Sequence, residues 1–202
     1  MQKQRNKIIK KIMSEKIINE QFKKHIHVFE QLKTQTNLIF LIAEEIRNCL
    51  KKNGKILICG NGGSASDAQH IAAELIGRFV KERIALPAIS LSTDTSVITA
   101  ISNDYGYEHI FSRQISAIAN EGDIVLVLST SGNSLNIIEA IKTAKNRGLT
   151  TIGLFGANDG EAVNMVDQSI RVPSEITAHI QEAHILIGHI LCEIIEERLQ
   201  FV

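Results

Sequence analysis

The chain has 202 residues, of which 44% are apolar, and its 22 basic residues are balanced by 22 acidic ones for a formal net charge of +0. That length and apolar content suit one substantial core, so residues 1–202 are expected to form a single domain. The even charge argues against the basic field of a nucleic-acid-binding surface, and no nucleic-acid partner is expected.

In chain order, the basic opening MQKQRNKIIKKIMSEK lacks the continuous apolar run that a secretory signal requires. From Ile8 to Phe29 apolar residues recur at helical spacing (Ile18, Phe22, Ile26, Phe29), and a second helix is predicted from Thr36 to Lys52 with Ile39, Ile42, Ile46 and Cys49 on one side. Asn53-Gly54 supplies its stop, so residues 1–53 form two leading helices and 54–202 an α/β core. Five short apolar runs then read as strands: 55–59, 88–91, 123–128, 150–155 and 168–172. Between them lie helical patterns at 66–80, 95–102, 109–119 and 134–147, and a long helix from Ile176 to Leu199 closes the chain. This alternation predicts a three-layer αβα sandwich around a five-stranded parallel sheet.

The longest apolar stretch, ILIGHILCEII, is interrupted by His189 and Glu193 and is too short to span a bilayer. Cys49, Cys59 and Cys192 lie far apart in apolar segments, as free thiols in a reducing compartment do. A cytoplasmic protein without membrane partners is expected.

Two polar turns follow predicted strands and precede helices, where ligands bind in open parallel sheets and where free backbone N–H groups favour anions. In STSGNS (129–134), Ser129, Thr130, Ser131 and Ser134 offer four hydroxyls, more than helix capping needs, and Gly132 permits close backbone approach. Phosphate binding is the expected role. In GNGGSAS (60–66), Gly60, Gly62 and Ala65 satisfy a dinucleotide fingerprint, but no acidic residue stands at the end of the next strand to hold a ribose. Asn61, Gly62 and Gly63 are therefore read as a tight turn offering amides to a polyhydroxylated ligand.

His70 and Glu74 are four residues apart on a predicted helix, and Gln181 and His189 are eight apart on another. These four would suit a borderline metal such as zinc if the helices meet; on spacing alone, a histidine such as His189 is more often a packed core residue. His25, His27, His109, His179 and His184 are read as surface or packing residues. Asn103 and Asp104 fall in a polar turn between two helical segments.

The motifs CGNGGSASDAQHIAAELIGRF, SNDYGYEHIFSRQI, LSTSGNSLNI and IQEAHILIGHILCEIIE together resemble the phosphoheptose isomerases of the sugar isomerase (SIS) superfamily, over essentially the whole chain. The resemblance implies a flavodoxin-like SIS fold. It implies an enzyme converting sedoheptulose 7-phosphate into D-glycero-D-manno-heptose 7-phosphate, an early step towards nucleotide-activated heptose for lipopolysaccharide or capsule. It further implies a cytoplasmic homotetramer with interfacial active sites and one zinc ion per subunit. Carried over by motif, Glu74 and His189 would be the catalytic pair, and His70, Glu74, Gln181 and His189 the metal ligands. Substrate contacts would come from Asn61, Gly62, Gly63, Glu74, Asn103, Asp104, Ser129, Thr130, Ser131, Ser134 and Gln181. Where some members carry an Asp-Arg pair, this chain has Thr177-Ala178-His179, and no role is carried over there. The rival readings are a non-catalytic SIS protein that binds the DnaA replication initiator, and an isomerase or sensor for another phosphosugar. Retention of both Glu74 and His189 favours the enzyme.

Overall fold

Five parallel strands pair in the order β2-β1-β3-β4-β5, an arrangement whose topological switch lies between β1 and β3. The computed structural model describes residues 2–198, with side chains from residue 11 onward. The strands are β1 (Ile56–Gly60), β2 (Ala88–Ser90), β3 (Ile124–Ser129), β4 (Thr150–Phe155) and β5 (Gln168–Arg171), each within a residue of its expected bounds. The helices are α1 (Gln2–Leu32), α2 (Thr36–Lys51), α3 (Gly63–Ile76), α4 (Thr95–Tyr105), α5 (Ser112–Ile118), α6 (Leu135–Asn146) and α7 (Thr177–Arg198). The predicted end of α7, Leu199, lies outside the described residues.

Because neighbouring residues of a strand face opposite ways, the sheet feeds two cores. Ile56, Ile58, Leu126 and Leu128 pack with α2, α3 and α7 on one face. Leu57, Cys59, Val125 and Val127 pack with α5 and α6 on the other. A strand buried on both faces has no polar positions to spare, which accounts for the unbroken apolar runs. All three cysteines are free and buried. Burial pushes the Cys49 thiol up to about 11 and Cys192 to about 12, and raises Cys59 further, so all three stay protonated.

Several predicted helix boundaries move: α1 extends beyond 8–29, and α5 starts at Ser112 where 109 is expected. Helix α3 starts at Gly63 and ends at Ile76, where the sequence pattern predicts 66–80; residues 77–87 form a loop whose amides are captured by α7, a long-range contact that local periodicity does not carry. Asn103 and Asp104, expected in a turn, occupy the last helical turn of α4, and the break comes at Gly106 with φ +98°.

Helix α7 runs alongside α3 in parallel, with Gln181 beside Gly63, Gly188 beside Ile71 and His189 beside His70. Helix α1 is fastened to α7 by polar links, from His25 Nδ1 to Glu182 Oε2 at 2.7 Å and from His179 Nε2 to Gln21 Oε1 at 3.2 Å. Among the described residues, no helix is long and apolar enough to cross a membrane.

Candidate active site

Both polar turns leave the carboxyl ends of the strands that flank the switch point, the first from β1 and the second from β3. Across it, the Asn61 and Asn136 side-chain amides hydrogen-bond reciprocally at 2.9 Å, and Tyr107 donates its hydroxyl to Asn61 Oδ1 at 3.0 Å. Asn136 is buried, 2% exposed. The Asn61 side chain is thus largely committed to the protein, with one N–H left for a ligand.

Asn61, Ser64, Leu128, Ser129, Thr130, Ser131, Ser134 and Gln181 line a cavity of about 60 Å³. Ser129 Oγ accepts from the Gly132 amide at 3.1 Å and Ser131 Oγ from the Asn133 amide at 3.2 Å, which fixes the turn. Ser134 is the first residue of the α6 cap but uses no side-chain hydrogen bond there, so its hydroxyl is left for the cavity. Gly132 has φ +67°, and a Cβ on it would lie 3.1 Å from the Gly160 Cα; a larger residue would be strained and would push the loop away. Four hydroxyls at the start of a helix, in a pocket without a carboxylate, can hold a phosphate dianion through hydrogen bonds and the helix field.

The second part of the site lies along the groove between α3 and α7. His70 Nε2 is 3.0 Å from Glu74 Oε1, and His189 Nε2 is 3.1 Å from His70 Nε2. One donor atom from each of His70, Glu74 and His189 falls within 4.8 Å of the others. Tetrahedral zinc bound at about 2.0–2.2 Å to nitrogen and oxygen ligands holds its donors roughly 3.3–3.6 Å apart, inside that limit, and two imidazoles with a carboxylate are a borderline metal's donor set. The three residues therefore fit such an ion. Asp67, one turn before His70, has one carboxylate oxygen buried without a partner. Burial pushes its pKa up to about 6, against the opposing effect of nearby His70. Phe79 stacks on His189, with centroids 5.3 Å apart and planes at 27°.

Gln181 is placed with the phosphate-turn cavity: a Cβ on Gly63 would come within 2.5 Å of its amide. Gly63 lies seven residues before His70, and Gln181 eight before His189, about 12 Å of helix rise. His70, Glu74 and His189 come together, and Gln181, the fourth expected metal ligand, lines the cavity at the polar turns. Asn103 and Asp104 are exposed and hydrogen-bond each other at 2.7 Å; they do not line the cavity. Asn136, Tyr107, Ser64, Asp67 and Phe79 escape sequence reasoning. Asn136 follows STSGNS by two positions, and only its burial reveals its part.

Residues 21–156 match the family model of the SIS domain. A phosphoheptose isomerase of Roseiflexus sp. (strain RS-1) is 52% identical over 168 residues, 83% of this chain and 85% of that protein. The solved phosphoheptose isomerase of Francisella tularensis has 41% identity and a TM-score of 0.89, covering 92% of this chain and 99% of that one. Phosphoheptose isomerase GmhA from Neisseria gonorrhoeae has 42% identity and a TM-score of 0.86, covering 91% of this chain and 98% of that one. With the family model spanning most of the chain and these similarities running nearly end to end, the chain belongs to the phosphoheptose isomerases of the SIS domain family.

Proposed function

We propose that this protein isomerises sedoheptulose 7-phosphate to D-glycero-D-manno-heptose 7-phosphate, with Glu74 and His189 exchanging protons with the substrate. The observation that carries this reading is the convergence of His70, Glu74 and His189 in the same helical groove whose other end opens on the four-hydroxyl turn. A substrate anchored by phosphate at one end of a seven-carbon chain, and reacting at C1 and C2 at the other, suits a site whose anchor and proton-transfer groups are well separated.

Isomerisation moves a proton between C1 and C2 through an enediol, so one group removes a carbon-bound proton while another serves the neighbouring oxygens. Glu74 is the carboxylate for the carbon and His189 the group for the oxygens, and in the return direction each runs its own transfer backwards, donor becoming acceptor. Ser129, Thr130, Ser131 and Ser134 hold the phosphate, which supplies binding energy away from the reacting carbons. Asn61, Gly62, Gly63, Asn103, Asp104 and Gln181 are proposed sugar contacts. A zinc ion held by His70, Glu74 and His189 would supply Lewis-acid polarisation of the substrate oxygens. Gln181, on the same face of α7 as His189, is the proposed fourth ligand, and a homotetramer with interfacial active sites is proposed. A cytoplasmic location completes the reading.

The direct test is incubation of purified protein with sedoheptulose 7-phosphate, following aldose formation before and after chelation. Turnover is expected, diminished by chelator and restored by zinc. No aldose from wild-type protein in either state overturns the assignment.

A further inference from the structure

The loop after α3 is tied to α7 by a buried ion pair that nothing in the chemistry above uses. Glu196, whose side chain is 2% exposed, accepts the backbone N–H groups of Phe79 at 2.7 Å and of Val80 and Lys81 at 2.9 Å each. Its Oε1 also lies 3.0 Å from Nε of Arg83, itself 5% exposed. The Arg83 guanidinium in turn donates to the carbonyls of Glu74 (2.7 Å), Leu75 (2.8 Å), Ile84 (3.0 Å) and Gly77 (3.3 Å). A cation thus closes the open carbonyl end of α3, and an anion gathers the amides of the loop that leaves it.

Burying a charged pair is costly, and well-packed apolar residues often serve stability equally well. What this pair does that apolar residues would not is fix direction. One end grips the backbone of Glu74 itself. The other grips Phe79, whose ring lies against His189. Glu196 and His189 are seven residues, two turns, apart on α7, so a single link registers both members of the proton-transfer pair against the same helix.

We propose that Arg83, Glu196 and Phe79 are positioning residues that set the Glu74 and His189 side chains in their reactive relation; this rests on the reading of those two as the catalytic pair. The clamp touches none of the phosphate-cavity residues, so its loss should lower turnover and leave substrate binding largely intact. Displacement of catalytic groups on this scale costs up to about 10²-fold.

The test is steady-state kinetics with sedoheptulose 7-phosphate on Glu196→Gln, Arg83→Lys, Phe79→Leu and Phe79→Tyr, with near-ultraviolet circular dichroism to measure the folded fraction. Glu196→Gln puts an amide N–H against loop N–H donors and should lower kcat per folded molecule by about 10²-fold. Phe79→Leu should lower kcat by about 10-fold with KM within about 2-fold, while Phe79→Tyr, which keeps the stacked ring, restores it. Wild-type kcat in Phe79→Leu and Arg83→Lys overturns the proposal, even where Glu196→Gln fails to fold. Glu74→Gln and His189→Ala are measured alongside. If they turn over normally, the underlying reading fails and the proposal with it; if they are inactive while the clamp variants are normal, the clamp alone is refuted.

Discussion

The first helix and the last make opposite uses of their apolar residues. In α1, Ile12, Met13, Ile17, Ile18, Phe22 and Ile26 recur at helical spacing yet are all more than half exposed. In α7, residues on nearly every side are buried, including His179, His184 and Glu196. Regular spacing therefore marks a face that wants a cover without saying whether the cover lies in the same chain. Helix α7 finds its cover in α2, α3 and the sheet; α1 meets α7 over a short stretch, where Ile17, Ile18 and Phe22 still border an open cavity of about 390 Å³ with His25 and Glu182. The groups of the candidate site stand at the rim of the covered groove, His70 exposed and Glu74 and His189 half-buried, while the α1 stripe has no cover among the described residues.

Substitutions along the groove between α3 and α7 should therefore strike turnover or stability, and substitutions in the exposed α1 stripe from Ile12 to Ile26 should strike neither within the single chain. The largest effect is expected of Glu74→Gln and His189→Ala, each lowering kcat by ~10²–10⁴-fold with the melting temperature nearly unchanged. A comparable loss from an α1 variant would erase the contrast.

Next comes acid. His184 is fully buried, and burial pushes its pKa from 6.5 down to about 4 against the smaller opposing effect of a hydrogen bond with the Phe155 backbone. The unfolded chain binds the proton that the folded one refuses, so its contribution is full above pH 6.5 and is lost as the pH falls towards 4. About 3 kcal/mol should disappear over that window. Urea midpoints at several pH values check it: wild type should lose more than His184→Met, and parallel curves would count against the buried neutral imidazole.

A smaller cost attends Gly188→Ala, whose new methyl would lie 2.7 Å from Ile71 Cδ1 where α7 packs on α3. About 1–3 kcal/mol of stability is expected to go, measurable by chemical denaturation. The smallest change in the single chain's stability is expected of Phe22→Ser on α1, within about 0.5 kcal/mol. In sedimentation the same variant should weaken self-association; an unchanged assembly would mean that the stripe is covered in some other way.

The same contrast explains what the sequence could tell. Strands buried on both faces announce themselves as apolar runs, and the two turns announce themselves by glycine and hydroxyl content beside them, so the sheet and the meeting of the two turns at one polar cavity were legible. The pairing of His70 and Glu74 was legible because it spans one helical turn. The end of α3 was not, because Gly77 and the pull of Glu196, more than a hundred residues away, override a periodicity that runs on to Val80. The commitment of Asn61 to Asn136 and Tyr107 was equally hidden, since an asparagine in a turn looks the same whether it faces ligand or protein. For Gln181 the spacing fixed the helix face, and only the parallel packing of α7 on α3 showed which end of the groove it occupies.

The three buried thiols have a practical consequence. With Cys49, Cys59 and Cys192 enclosed and held protonated, the folded chain offers thiol-directed reagents almost no native target. A single cysteine introduced beside Phe22 would then be the one readily labelled position. A fluorophore or spin label placed there would report whether the α1 stripe is open or covered while the enzyme turns over, with the native cysteines left in place.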